Sequence, residues 1–180
     1  MRLSLIAWVS VVALGTLPAA ALDAPRWADA SGEVSLDVSG QGYRVMDSAG
    51  HPNLYPAGRV LYAVSENGAG FCALDEEVNA NPPLNRERMN AAMQGMLQRA
   101  QQASVDGGAP PSLVEVDGVL VLDAPIANEH FVGMRRMFAT YREGAVHGYT
   151  LQCAGQRNAP GSIETAQAVA SSLRLSPQEH

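Results

Sequence analysis

Residues 133–155 read GMRRMFATYREGAVHGYTLQCAG. Two runs of β-branched, aromatic and apolar residues flank Arg142-Glu143-Gly144-Ala145, which predicts an antiparallel hairpin that turns at those four residues. With that turn, Tyr141 opposes Val146 and Thr140 opposes His147. Successive side chains of a strand point to opposite faces. Met134, Arg136 and Phe138 therefore share one face with Tyr149, Leu151 and Cys153, and Arg136 points among apolar neighbours opposite Leu151. A buried arginine is costly unless a carboxylate or carbonyl meets it. Two explanations stay open: the stem packs while the guanidinium reaches the sheet margin, or Arg136, Tyr149 and Arg135 form a ligand or partner contact. Arg135 falls on the opposite face, toward solvent.

Upstream, Ser112–Val116 and Val119–Pro125 predict a second hairpin around Asp117-Gly118, and Arg59–Val64 with Gly70–Leu74 a first one around Asn67-Gly68. Residues 33–38 and 42–46 are two further strand candidates. Prolines and glycines make 48–58 a loop, and Pro82-Pro83 breaks the sheet. A helix is predicted over 86–103, with Asn85 as its N-cap and Met89, Met93, Met96 and Ala100 recurring at helical spacing. A second is predicted over 162–175, capped by Ser162, with Ile163, Ala166, Val169, Ala170 and Leu173 as its apolar stripe. The order strands, helix, four strands, helix implies one α+β domain over 33–175: an antiparallel β-sheet flanked by two main helices. Residues 22–32 lack any period and are expected to be a flexible lead-in, and 176–180 a disordered tail.

The chain opens with Arg2, an apolar run over 3–15 and small residues at Ala19, Ala20 and Ala21, the pattern of a cleaved signal peptide over 1–21. The run is too short to span roughly 30 Å of hydrocarbon, so no membrane anchor is expected after cleavage, and the product is expected to be periplasmic or secreted. The formal charge is −6 and all 12 basic residues are arginine. An acidic chain without a basic stripe is a poor nucleic-acid ligand.

Two cysteines, Cys72 and Cys153, both fall on predicted strands of an exported chain, which implies a disulfide. It closes a loop of about 80 residues, worth roughly 4–5 kcal/mol in the chain-entropy account. The rival assignment, a reactive thiolate at Cys72, is opposed by Asp75, Glu76 and Glu77, which would raise a thiol pKa. The triplet lacks the D-x-D-x-D-G spacing of a calcium loop and is expected to be a solvated strand end. His130 lies ten residues from Thr140 along its strand, roughly 33 Å from His147 at 3.3 Å per residue, so the two are not expected to share zinc. The methionines of the first helix are expected to be core rather than a copper site. Hydrolase elbows and phosphate loops are missing from the sequence. No catalytic residue, metal or cofactor is expected.

The run LNRERMNAAMQGML, then VEVDGVLVLDA, then residues 133–155, then ETAQAVASSLRL resembles the PsbP-like superfamily, which includes DcrB-type bacterial periplasmic proteins; the likeness covers roughly residues 84–174. It implies a PsbP-like α/β sandwich and non-catalytic work as a binding scaffold or accessory subunit, with another envelope protein as partner. The superfamily shares no catalytic residues, so the likeness implies none here. Two other functions fit the chain: an inhibitor or immunity protein against an envelope-acting toxin or hydrolase, its acidity steering it to basic enzymes, and a hydrolase in which His147 or His51 approaches a serine or carboxylate in a deep pocket.

Overall fold

The computed structural model describes residues 26–80, 86–102 and 109–176. The signal segment over 1–21, the Asn85 cap and most of the tail lie outside them. The long hairpin forms the centre of the molecule. Strands Phe131–Arg142 (β8) and Ala145–Gln156 (β9) pair antiparallel with Tyr141 opposite Val146, Thr140 opposite His147 and Arg136 opposite Leu151, as the turn predicts. Glu143 and Gly144 hold φ of 52° and 79°, the paired left-handed conformation that matches strand twist in a two-residue hairpin. Asp117-Gly118 repeats it between β6 (Ser112–Val116) and β7 (Val119–Ala127), with φ of 48° and 81°.

Seven strands make one antiparallel sheet in the order β3-β4-β5-β9-β8-β7-β6, where β3 is Tyr43–Val45, β4 Arg59–Ser65 and β5 Gly70–Asn79. The join between the N-terminal and C-terminal strands is β5 on β9. There Cys72 opposes Cys153 with Cα atoms 4.1 Å apart, and the two sulfurs are bonded. Cα atoms in a non-hydrogen-bonded antiparallel pair lie about 4.5 Å apart, close enough for a bridge without backbone movement.

The Cys153 face of the sheet is the core face. Leu61, Leu74, Phe138, Tyr149 and Leu151 are buried there against Ala166, Val169, Ala170 and Leu173. Burying one such large apolar side chain is worth about 1.5–3 kcal/mol. Helix α2 (Ser162–Ser171) lies across β9, β8 and β5. Helix α1 (Arg86–Gln102) packs against β7 and β6, and Met93 and Met96 line a groove on the opposite sheet face with Met137 and Thr150.

Three expectations are corrected, and one point the sequence left open is decided. The lead-in is not structureless: Trp27–Ala28 (β1) pairs with Val34–Leu36 (β2), so the domain reaches at least to Trp27. The last helix stops at Ser171, and Arg174–Leu175 (β10) pairs with the other edge of β2. Leu173 still enters the core, and with the backbone extended from there, Leu175 packs into it too. Ser162 is no cap: Gly161 occupies that place, and the Ser162 hydroxyl donates to the Gln156 and Ala159 carbonyls. Finally, the N-terminal strands divide. Strand β3 joins the large sheet, while β1-β2-β10 form a small second sheet.

Candidate functional site

Asp75, Glu76 and Glu77 do not end their strand. They lie inside β5, opposite Thr150, Tyr149 and Gly148 of β9. Counting in twos from Cys72 sets Glu76 on the core face, where it meets a polar cluster. Its Oε1 lies 2.7 Å from His147 Nδ1, 3.3 Å from Arg142 Nη2 and 3.2 Å from the Tyr149 hydroxyl. A carboxylate only accepts, so the phenol donates; His147 Nδ1 also lies 3.0 Å from Arg142 Nη2, and its role between the two follows its tautomer. From the β1–β2 turn come two more carboxylates. Glu33, 1% exposed, accepts from Thr140 Oγ1 at 3.1 Å and from Arg142 Nη1 at 3.3 Å. Asp29 lies 3.8 Å from Arg142.

Arg142 is thus shared among three carboxylates. Burial works against its charge, but the field of Tyr149, Glu33, Glu76 and Asp29 outweighs that and holds the guanidinium above its ordinary value. Burial, and then Glu76, push the Tyr149 phenol well up, so it remains a donor. The cluster fastens the β1–β2 turn to the closed end of the long hairpin. Asp29 also caps that turn, accepting from Ser31 Oγ at 2.6 Å and from the Val34 amide at 3.2 Å.

Strand β1, held by this fastening, carries Trp27, one wall of an open groove of about 660 Å³. Val38, Ser39 and Glu66 line it too, together with Tyr43, Arg44 and Val45 of edge strand β3. In β3 the Gly42 carbonyl accepts from the Glu66 amide and the Met46 amide donates to the Tyr62 carbonyl, both toward β4. Backbone groups of an antiparallel strand alternate in direction. The Val45 amide and the Tyr43 and Val45 carbonyls therefore point away from β4, along the groove. Val45 is 41% exposed, one of two large apolar side chains so open among the described residues.

The residues singled out from sequence are dispersed. Arg136, 8% exposed, is bound inside the core face: Nη2 donates to Asp123 at 3.0 Å and Nη1 to the Ala170 carbonyl at 2.9 Å. It ties β7 and α2 to β8. Tyr149 stacks on Phe138 with centroids 5.0 Å apart and belongs to the cluster through its hydroxyl. Arg135 is exposed on the other face. These three share no site. His147 does reach a carboxylate, but it is 6% exposed and lines none of the described grooves. Among the described residues no group of three metal-ligating side chains converges.

Sequence reasoning missed Glu33, Asp29 and Arg142, which lie on opposite ends of the chain, and the groove residues Trp27, Arg44 and Val45. Glu76 was within reach: Cys72 opposite Cys153 sets a register that puts Glu76 opposite Tyr149.

The molecule is therefore an α+β domain with a disulfide-braced antiparallel sheet and two main helices, and no helix among its described residues is long and apolar enough to cross a membrane. No family model and no curated protein matches the chain. Among solved structures it is similar in fold to LpqN of Mycobacterium tuberculosis, which is described as involved in cell envelope biogenesis. The match has a TM-score of 0.51 and 12% identity, and covers 85% of this chain and 90% of that one. A protein from Bacteroides thetaiotaomicron also matches, with a TM-score of 0.49, 7% identity and 87% of this chain covered; the chain spans half the length of that protein.

Proposed function

We propose that this is an exported accessory protein of the cell envelope, which works by binding another envelope protein and performs no chemistry of its own. The observation that carries this is the groove beside β3, where a sheet edge with no partner strand among the described residues, an open Val45 and a half-buried Trp27 come together. Exposed apolar side chains beside unpaired strand groups are a liability unless a partner covers them. Export is supported by the first 21 residues and by the disulfide, which persists in oxidising compartments. The likeness to LpqN is compatible with envelope work. Membership of the PsbP-like superfamily is part of the same proposal, supported by the order of elements over 84–174.

A hydrolase is the weaker alternative. The His147–Glu76 pair is its best feature, and Arg142, Tyr149 and Glu33 already occupy the space around that pair. The test is a photo-crosslinking amino acid at position 45 of the exported protein, with position 115 on β6 as control. A specific adduct at 45, identified by mass spectrometry, is the expected result. Equal labelling at both positions would count against the proposal.

A further inference from the structure

Resting on that function, we propose that β3 receives an extended segment of its partner as an added strand, and that the segment carries the pattern apolar–acidic–apolar. Three features of the edge lead to it. The first is the backbone. The Val45 amide with the Tyr43 and Val45 carbonyls offers one donor and two acceptors to the open side, which suits two or three residues of incoming strand. The second is the alternation of side chains. Tyr43 and Val45 belong to the core face, because Val45 opposes Ala63, which in turn opposes Cys72. A residue placed beside either one enters the groove toward Trp27 and Val38 and must be apolar to cover Val45.

The third is charge. Arg44 lies between them on the opposite face, exposed, with no hydrogen-bond or ion-pair partner among the described residues. An added strand puts one side chain directly across from it, and opposite charges across a strand pair are favoured while like charges are not.

The probes are two blocked pentapeptides, Thr-Val-Glu-Val-Thr and Thr-Val-Lys-Val-Thr, titrated into the processed protein. Trp27 is the one tryptophan beyond residue 21, so its fluorescence reports from the groove wall itself. A saturable change with the glutamate peptide, several-fold stronger than with the lysine peptide, is the expected result. Val45→Pro removes the outward amide and leaves the bonds to β4 in place; it should weaken binding about 10-fold, the upper worth of one net hydrogen bond. Arg44→Glu should reverse the ranking of the two peptides with no loss of fold, so the proposal does not depend on the proline variant folding. No saturable signal, or binding indifferent to both substitutions, overturns strand addition. If adducts still form at position 45, that failure leaves the accessory function standing. A concentration-dependent dimer in sedimentation, abolished by Val45→Pro, would assign the edge to a second copy and also overturn the proposal.

Discussion

Replacing Arg142 by Met tests the polar cluster at its centre. Arg142 is 16% exposed and faces Glu33 and Glu76 at 3.3 Å each and Asp29 at 3.8 Å. With an effective dielectric of ~20, a unit charge pair at the shorter distance attracts by about 5 kcal/mol. The three carboxylates repel one another and all have lost water, so the net worth is much smaller than the sum. Removing one partner from a buried ion pair costs about 3–5 kcal/mol, because the remaining charge stays buried and unpaired; here three acids would remain. We expect that loss in urea unfolding followed by circular dichroism, a midpoint drop of about 1.5–2.5 M for a slope of about 2 kcal/mol per molar.

The N-terminal turn should loosen first, since Glu33 and Asp29 hold it. Trp27 fluorescence should therefore change at lower urea than the far-ultraviolet signal, whereas the parent protein should show coincident transitions. Glu33→Gln supplies the control: it removes one of the excess negative charges and keeps the atoms that meet Thr140 and Arg142, so it must cost less than Arg142→Met. A loss under about 1 kcal/mol in Arg142→Met, or the reverse ranking of the two variants, would refute the charge argument.

The other predictions concern the frame. Cys72→Ala with Cys153→Ala should lose about 4.5 kcal/mol by the chain-entropy account for a separation of 81 residues, read as a urea midpoint about 2 M lower; labelling of either thiol in the denatured, unreduced protein would contradict the bridge. Arg136→Met should cost about 3–5 kcal/mol by stranding Asp123, and adding Asp123→Leu should recover part of it in a double-mutant cycle. Burial pushes the Tyr43 phenol up to about 12. Its folded value exceeds its unfolded one near 10, so it stabilises fully below pH 10 and that contribution is lost as pH rises from about 10 to 12. Tyr43→Phe should flatten that alkaline decline. It also removes a buried hydroxyl without a hydrogen-bond partner among the described residues, so stability at pH 7 should stay level or rise by up to about 1 kcal/mol; a fall of more than that would show a partner for the hydroxyl. Gly155→Ala should destabilise by more than about 3 kcal/mol in thermal melts, because a Cβ there would lie 2.3 Å from the Ser162 carbonyl and α2 would have to move.

Strand and helix identity were legible wherever a local rule operates. The turn at Arg142–Ala145 fixed the pairing of β8 with β9 residue by residue, since Gly144 takes one of its two left-handed positions freely and a tight turn leaves a single register. The methionine stripe of α1 faces the sheet as its spacing implies. The missed strands lie where the chain's two ends meet. Residues 27–28 and 174–175 carry no strand signal of their own, and each is a strand because β2 lies beside it. A two-residue strand has no local cooperativity, so only its partner can create it.

By itself, then, the sequence determined the α+β class, the long hairpin and its register, the bridged cysteines and the face to which each residue of that hairpin points. Those are properties of chain periodicity and turn chemistry, which act over a few residues. The cluster of Asp29, Glu33, Glu76, Arg142 and His147, and the groove that opens beyond it, were decided by tertiary structure alone. Asp29, Glu33 and Arg142 each read as ordinary surface charge in their own segments. The acids become a fastening for the first strand only when the closing of the small sheet carries Glu33 against Arg142, 109 residues away, and takes both out of water.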